Sequence, residues 1–226
     1  MDKIWDSNSQ LFESIKKNLF SAVIGDVMDK IGLRHQFLPA RIQPLSDQMV
    51  VVGSAMPVLV ENTEYDPDMP VDQAYGLLFS ALDDLKADEV YLCTGADPSY
   101  ALWGELMSTR AIQLKAAGAV VDGYTRDTPG ILKLNFPTFS YGRYAQDQAF
   151  RGKVVDFRTS INIQGVAVQP GDIVFGDLEG VCIIPHTHKQ EVIELALEKV
   201  KGEHLVRKAL ESGMSASEAF KNFGIM

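Results

Sequence analysis

A chain of 226 residues is one large domain or two small ones, with ample core. Apolar residues make up 46% and charged residues 23%, a globular balance, while a net charge of −9 and a pI near 4.9 argue against a nucleic-acid binder, which carries a basic face. The acidic opening MDKIWDSNSQ has no leader character and no apolar run approaches the roughly 18 residues of a membrane helix, so the expectation is a cytoplasmic protein with no membrane partner.

Leu11–Ile31 is amphipathic and predicts two helices, the second capped by Ser21. A strand follows near Met49–Leu59, a helix near Gln73–Ala81 and a strand at Glu89–Thr94. Gly95–Gly104, with Pro98, reads as a loop. Glu105–Ala117 is a run of helix formers with Leu106, Ala111, Leu114 and Ala117 at helical spacing, and Gly118 is a natural stop. Ala119–Val121 starts a short strand that Asp122-Gly123 ends, and another strand is expected near Leu132–Asn135. Gly152–Val174 looks all-β, VCIIP is a buried strand, and Thr187 caps a long helix from Lys189 to about Leu210. Ser215 or Ser217 starts a last short helix. Cys93 and Cys182 sit in apolar strand-like runs and read as buried, reduced thiols. This order shows no clean βαβα alternation and predicts an α/β layered core rather than a doubly wound nucleotide fold.

Glu105 lies twenty-one positions before the pair Arg126-Asp127. The helix between them runs outward for roughly 18–20 Å and a strand of about six residues returns roughly 20 Å. The two lengths nearly cancel, which brings a carboxylate, a guanidinium, a second carboxylate and the free N–H groups of a helix start together. Such a place can hold a divalent cation and a small carboxylate. The plainer readings make Arg126-Asp127 a surface turn with Asp127 as a cap, and Glu105 a first-turn acid answering the helix dipole. Asp122 before Gly123 reads as a structural turn former, and Asp177 and Glu179 divide evenly between turn and site. His186 and His188 follow Pro185 at a helix start and read as a solvated cap rather than a metal pair. There is no glycine-rich phosphate loop, no nucleophile elbow and no Cys-His pairing, and Lys115, read as mid-helix, and Lys133 are poor Schiff-base candidates.

The segment GELMSTRAIQLKAAGAVVDGYTRD, from Gly104 to Asp127, resembles the signature of the family that joins 4-hydroxy-4-methyl-2-oxoglutarate aldolase and the regulator of ribonuclease E activity A. SAVIGDVMDKIG, VVGSAMPV and QPGDIVFGDLEGVCIIP resemble its other segments, collinear from about residue 10 to 210. Two features depart from its pattern: Glu105 stands where an Asp is usual, and Glu61–Val71 matches nothing in it. The resemblance implies one α/β domain over residues 1–226, a central sheet sandwich flanked by helices, similar to a swivelling phosphohistidine-type domain. It implies a metal-dependent lyase of class II type that releases pyruvate from a short 4-hydroxy-2-oxo acid through an enolate, with oxaloacetate decarboxylation possible at the same site. Asp127 would hold Mg²⁺ or Mn²⁺. Arg126 would bind the oxo and carboxylate region, and the N–H groups beside Gly104, at Leu106 and Met107, would take a carboxylate oxygen. Glu105 would orient a water, and Glu203 is matched to a glutamate that a neighbouring subunit contributes in a homotrimer or homohexamer. The alternative is a non-catalytic regulator that docks on an RNA-degradation enzyme.

Overall fold

The computed structural model describes residues 5, 7–71 and 73–225. Two helices open the chain, α1 (Asn8–Asn18) and α2 (Ser21–Lys30). A two-residue strand β1 (Gln43–Pro44) precedes the long strand β2 (Val51–Asn62). Then come α3 (Leu78–Asp83), β3 (Glu89–Thr94), β4 (Ala101–Trp103), α4 (Glu105–Gln113) and β5 (Gly118–Val121). β6 (Tyr124–Thr125), α5 (Thr128–Leu134) and β7 (Thr138–Ser140) complete the central part. An antiparallel run follows: β8 (Gly152–Phe157), β9 (Ile161–Ile163), β10 (Val166–Val168), β11 (Ile173–Asp177) and β12 (Gly180–Ile184). The chain closes with α6 (Lys189–Glu211) and α7 (Ala216–Phe223).

β2, β3, β5 and β7 lie side by side and parallel, each joined to the next through a helix. That is a βαβ run, which the sequence reading missed. The strand expected near Leu132–Asn135 is instead the end of α5. Pro129 lies in the first turn of α5, where a missing N–H costs nothing, and Asn135 ends it in the left-handed region at φ 51°. The third crossover helix was thereby hidden, and so was β7.

The sheet continues antiparallel through β11 and β12 on one side and β1 on the other, while β8 pairs with the far half of β2. The chain just before β1 folds onto β12, with Leu38 N–H donating to Val181 O at 2.9 Å and Ile183 N–H to Gln36 O at 2.8 Å. The sheet therefore almost closes on itself. Side chains alternate between its faces, as the period of two requires. Val52, Ile173, Phe175, Cys182 and Ile184 pack outward under α1, α2 and α6. Val51, Val174, Val181 and Ile183 point into the main core. Each such aliphatic side chain contributes about 1.5–3 kcal/mol on full burial. Cys93 and Cys182 are buried and free, as expected, and burial pushes both thiols up, which keeps them protonated.

Element ends shift in several places. The helix expected over Gln73–Ala81 is confined to α3. α4 ends at Gln113 and turns on Lys115, at φ 61°, so Gly118 opens β5 and Lys115 is not mid-helix. Ser21 is the first residue of α2 rather than its cap, and both its N–H and its hydroxyl donate to Asp177 at 2.8 Å. Thr187 is displaced as cap by His188. Ser215 caps α7, accepting from Glu218 N–H at 3.2 Å.

Candidate active site

Two short strands build the site. β4 and β6 are parallel, pairing Ala101 with Tyr124 and Trp103 with Thr125. Their C-terminal ends therefore emerge side by side, one into Gly104 and α4, the other into Arg126 and Asp127. Arg126 N–H donates to Trp103 O at 2.9 Å and locks the register. Trp103 is 1% exposed; its indole N–H donates to Ser108 Oγ at 2.8 Å, and that hydroxyl donates to Gly104 O at 3.0 Å. The first turn of α4 is thus pinned to the core. Its leading N–H groups, Leu106 and Met107 among them, have no acceptor within the helix, as at any helix start.

Gly104 leaves room for the Asp127 carboxylate. A Cβ there would lie 2.8 Å from Asp127 Oδ2 and 3.6 Å from Arg126 Cγ. Asp127 itself takes left-handed backbone angles, φ 55° and ψ 29°, which cost roughly 1–2 kcal/mol for a residue with a Cβ. Its carbonyl accepts from Gly130 at 2.9 Å and Ile131 at 3.2 Å, so the first turn of α5 holds it there. Uncommon backbone of this kind gathers at functional sites.

Arg126 Nη1 lies 3.0 Å from Asp147 Oδ1, and its Nε lies 3.7 Å from Asp127 Oδ2. Tyr75 completes the chain, its hydroxyl donating to Asp147 Oδ2 at 3.0 Å. Burial, then this bond to a carboxylate, raises the Tyr75 phenol above its ordinary value, so it stays a donor. The Arg126 and Asp147 side chains are 37% and 36% exposed, so the pair adds at most about 1 kcal/mol to stability. Its effect is to orient the guanidinium.

These groups open onto a cavity of about 240 Å³. Ligand sites for drug-sized molecules run to roughly 300–1,000 Å³, so this one suits a small molecule. Gly104, Leu106, Met107, Arg126 and Asp127, all singled out from sequence, line it. Two others do not. Glu105 turns its carboxyl against Gly130, whose absent Cβ would lie 2.2 Å away, and is not part of the wall. Glu203 lies on α6, 3.8 Å from Lys199 Nζ, and is not part of the wall of its own chain's cavity either. Tyr75, Asp147 and Gln148 were missed. Asp147 lies in an irregular polar triplet, Gln146–Gln148, with no spacing that ties it to Arg126; the bonds from Tyr144 N–H to Thr125 O and from Ala101 N–H to Gln146 O, both at 2.8 Å, bring it there.

The remaining candidates have structural partners. Asp122 accepts from Thr94 at 2.7 Å, from Gln164 at 3.0 Å and from the Tyr141 hydroxyl, tying down the turn before β6. His186 Nδ1 meets the buried Asp172 at 2.9 Å, and His188 Nδ1 meets Thr187 at 2.9 Å. Among the described residues no three His, Cys, Asp or Glu side chains gather as a metal cage. Asp127 nonetheless offers a carboxylate at the cavity wall with only a long contact to Arg126. A hard cation that keeps most of its waters fits such a donor. No helix among the described residues is long and apolar enough to cross a membrane.

Comparison with known proteins agrees with this architecture. The chain is 28% identical over 207 residues to protein DlpA of Legionella pneumophila, covering 91% of this chain but only 32% of that one, so it spans about a third of that relative. It is 28% identical over 197 residues, 87% of each chain, to a Halalkalibacterium halodurans protein that carries the provisional name 4-hydroxy-4-methyl-2-oxoglutarate aldolase. In structure it is similar to Streptomyces coelicolor RraAS2, described as an unusual member of the RNase ES inhibitor RraA family. The TM-score is 0.76 at 21% identity, over 90% of this chain and 98% of that one. The family model described as RraA-like, Aldolase/RraA, matches residues 21–183, and the chain belongs to that family.

Proposed function

We propose that this protein is a divalent-metal-dependent carbon–carbon lyase that cleaves a short 4-hydroxy-2-oxo acid to pyruvate. The observation that carries the reading is the convergence, at one small cavity, of Arg126, Asp127 and the start of α4. The N–H groups of Leu106 and Met107 take one oxygen of the substrate carboxylate. Arg126 donates to the 2-oxo oxygen and the other carboxylate oxygen, with charge-assisted bonds. Asp127 would hold Mg²⁺ or Mn²⁺, which would supply Lewis acidity for the developing enolate. The C3–C4 bond breaks as the C4 hydroxyl proton passes to a water, and the electron pair stays on C3 as an enolate. Arg126 faces the charge that develops on the 2-oxo oxygen. Protonation of C3 gives pyruvate. Glu203 of a neighbouring copy, in a homotrimer or homohexamer, positions the proton-accepting water, and Glu105 acts at one remove through the α4–α5 contact. Oxaloacetate decarboxylation ends in the same enolate and needs no hydroxyl base.

A lactate-dehydrogenase-coupled assay on a panel of 4-hydroxy-2-oxo acids and oxaloacetate tests this. Pyruvate should appear with Mg²⁺ or Mn²⁺, vanish in EDTA and return on metal addition. Full activity in EDTA, or inactivation by borohydride in the presence of substrate, would point to imine chemistry instead. A second reading is a non-catalytic regulator, supported by the name of the Streptomyces relative and by the net charge of −9, which suits a basic RNA-binding partner segment. It predicts no pyruvate from any substrate and salt-sensitive binding to a ribonuclease.

A further inference from the structure

An enolate becomes pyruvate only when C3 takes a proton, and the cavity wall offers few groups that can give one. Among the described residues lining it there is no His, Lys, Cys, Ser, Thr or Glu side chain. Asp147 is engaged by Arg126 at 3.0 Å, and Asp127 is the cation's donor in the lyase reading, so both serve there as acceptors. The Trp103 indole N–H is given to Ser108 Oγ at 2.8 Å. The Arg126 guanidinium and the Gln148 carboxamide donate hydrogen bonds but are not acids. Tyr75 is what remains. Its hydroxyl donates to Asp147 Oδ2 at 3.0 Å, and Asp147 Oδ1 lies 3.0 Å from Arg126 Nη1. The phenol is therefore two hydrogen bonds from the guanidinium that faces the 2-oxo oxygen, and C3 is two covalent bonds from that oxygen. A proton crosses such a span by direct contact or through one water. Burial and the Asp147 carboxylate raise the phenol above its ordinary value, so it is protonated when substrate arrives and regains its proton readily afterwards.

We infer that Tyr75 is the catalytic acid that protonates the enolate at C3. This rests on the lyase reading and fills the step it leaves open. The phenol O–H bond breaks, the C2–C3 π pair forms the new C3–H bond, and the enolate oxygen closes back to the 2-oxo group of pyruvate. The phenolate recovers a proton from water, which balances the proton shed to water from the C4 hydroxyl. In the interval the Arg126 charge, one carboxylate away, offsets the phenolate beside Asp147. Oxaloacetate decarboxylation ends in the same enolate and uses the same acid.

Proton NMR of pyruvate in D₂O, with the full chain and Mg²⁺ present, reads this step alone, because protonation run backwards exchanges the methyl protons. Calorimetric titration with oxalate, a planar mimic of the pyruvate enolate, reads whether Arg126 is still aimed. Tyr75→Phe keeps the ring and its contact with Phe79, at 5.4 Å between centroids. It should slow methyl exchange by about 10²-fold and leave oxalate affinity within about threefold. Loss of exchange matched by an equal loss of oxalate affinity would make Tyr75 a positioning residue acting through Asp147, and unchanged exchange would remove it from the step; either overturns the inference. A wild-type protein that releases pyruvate from a 4-hydroxy acid but does not exchange its methyl protons sheds an unprotonated enolate, which overturns the inference and leaves the lyase standing. Exchange that depends on Tyr75, with no acid cleaved, supports the assignment and sinks the lyase. Neither exchange nor pyruvate overturns both.

Discussion

Arg126 is useful because it is aimed. Asp147 holds one end of its guanidinium and Tyr75 holds Asp147, so the remaining N–H groups would meet a substrate without a search over rotamers. Arg126→Lys keeps the charge and loses the fork. We expect kcat to fall by about 10²-fold, the scale of one lost oxyanion donor, with the thermal midpoint unchanged. A change confined to KM would make Arg126 only an anchor. Asp147→Asn should act through Arg126, lowering kcat by roughly tenfold at constant fold, with Asp147→Glu recovering part of it; steady-state kinetics on the three proteins would show it, and an inert Asp147→Asn would separate the two side chains. Legibility divides along the same line. Gly104, Arg126 and Asp127 were readable because a helix and its returning strand link them within one short segment. Tyr75 and Asp147 were not, because 72 residues separate them and no local pattern records their meeting.

At the level of elements, β4 and β6 do what the sequence reading assigned to a single returning strand. Both are too short to show a period, and β4 lies inside a stretch that reads as a loop. The return from α4 also passes first through β5 in the main sheet, so the outcome was legible and the route was not. The helix α5 was misread because Ile131, Leu132 and Leu134 are apolar and close together, a pattern shared by a short buried strand. Pro129 in its first turn was the signal that could have decided it. α2 shows how a distant side chain serves as a cap. Asp177, at the end of β11, takes both donors of Ser21 and fixes α2 against the sheet. Asp177→Ala should cost about 1–2 kcal/mol in urea unfolding while activity per folded molecule is kept, since neither residue lines the cavity. An unshifted midpoint would show that solvent satisfies the helix start equally well.

For the whole molecule, the near closure of the sheet was beyond reach of the sequence, because it depends on the two-residue β1 and on three residues laid along β12. The layered α/β class was legible from the order of elements, and the helices flanking a central sheet from the family resemblance. At the cavity mouth Leu106 is 83% exposed and Phe79 54%, more apolar surface than an isolated rim needs. A site shared between copies would account for it. If Glu203 reaches a neighbour's cavity, Glu203→Ala should impair 4-hydroxy acid cleavage and largely spare oxaloacetate decarboxylation. Light scattering should find a trimer or hexamer; an active monomer would exclude the shared site. The long strand β2 has a consequence of another kind. β3 borders it from Ser54 to Leu59, while β11 covers its first residues and β8 its last, with an irregularity between Leu59 and Val60. Half the sheet can therefore come apart only if β2 lets go. In native-state deuterium exchange the amides of Ala55, Met56 and Val58 should open only with global unfolding, and those of α7 should exchange first. The loops around the cavity hang on the two-residue β6 and should exchange before β2, which would let the protein admit a ligand without loosening the strand that keeps it folded.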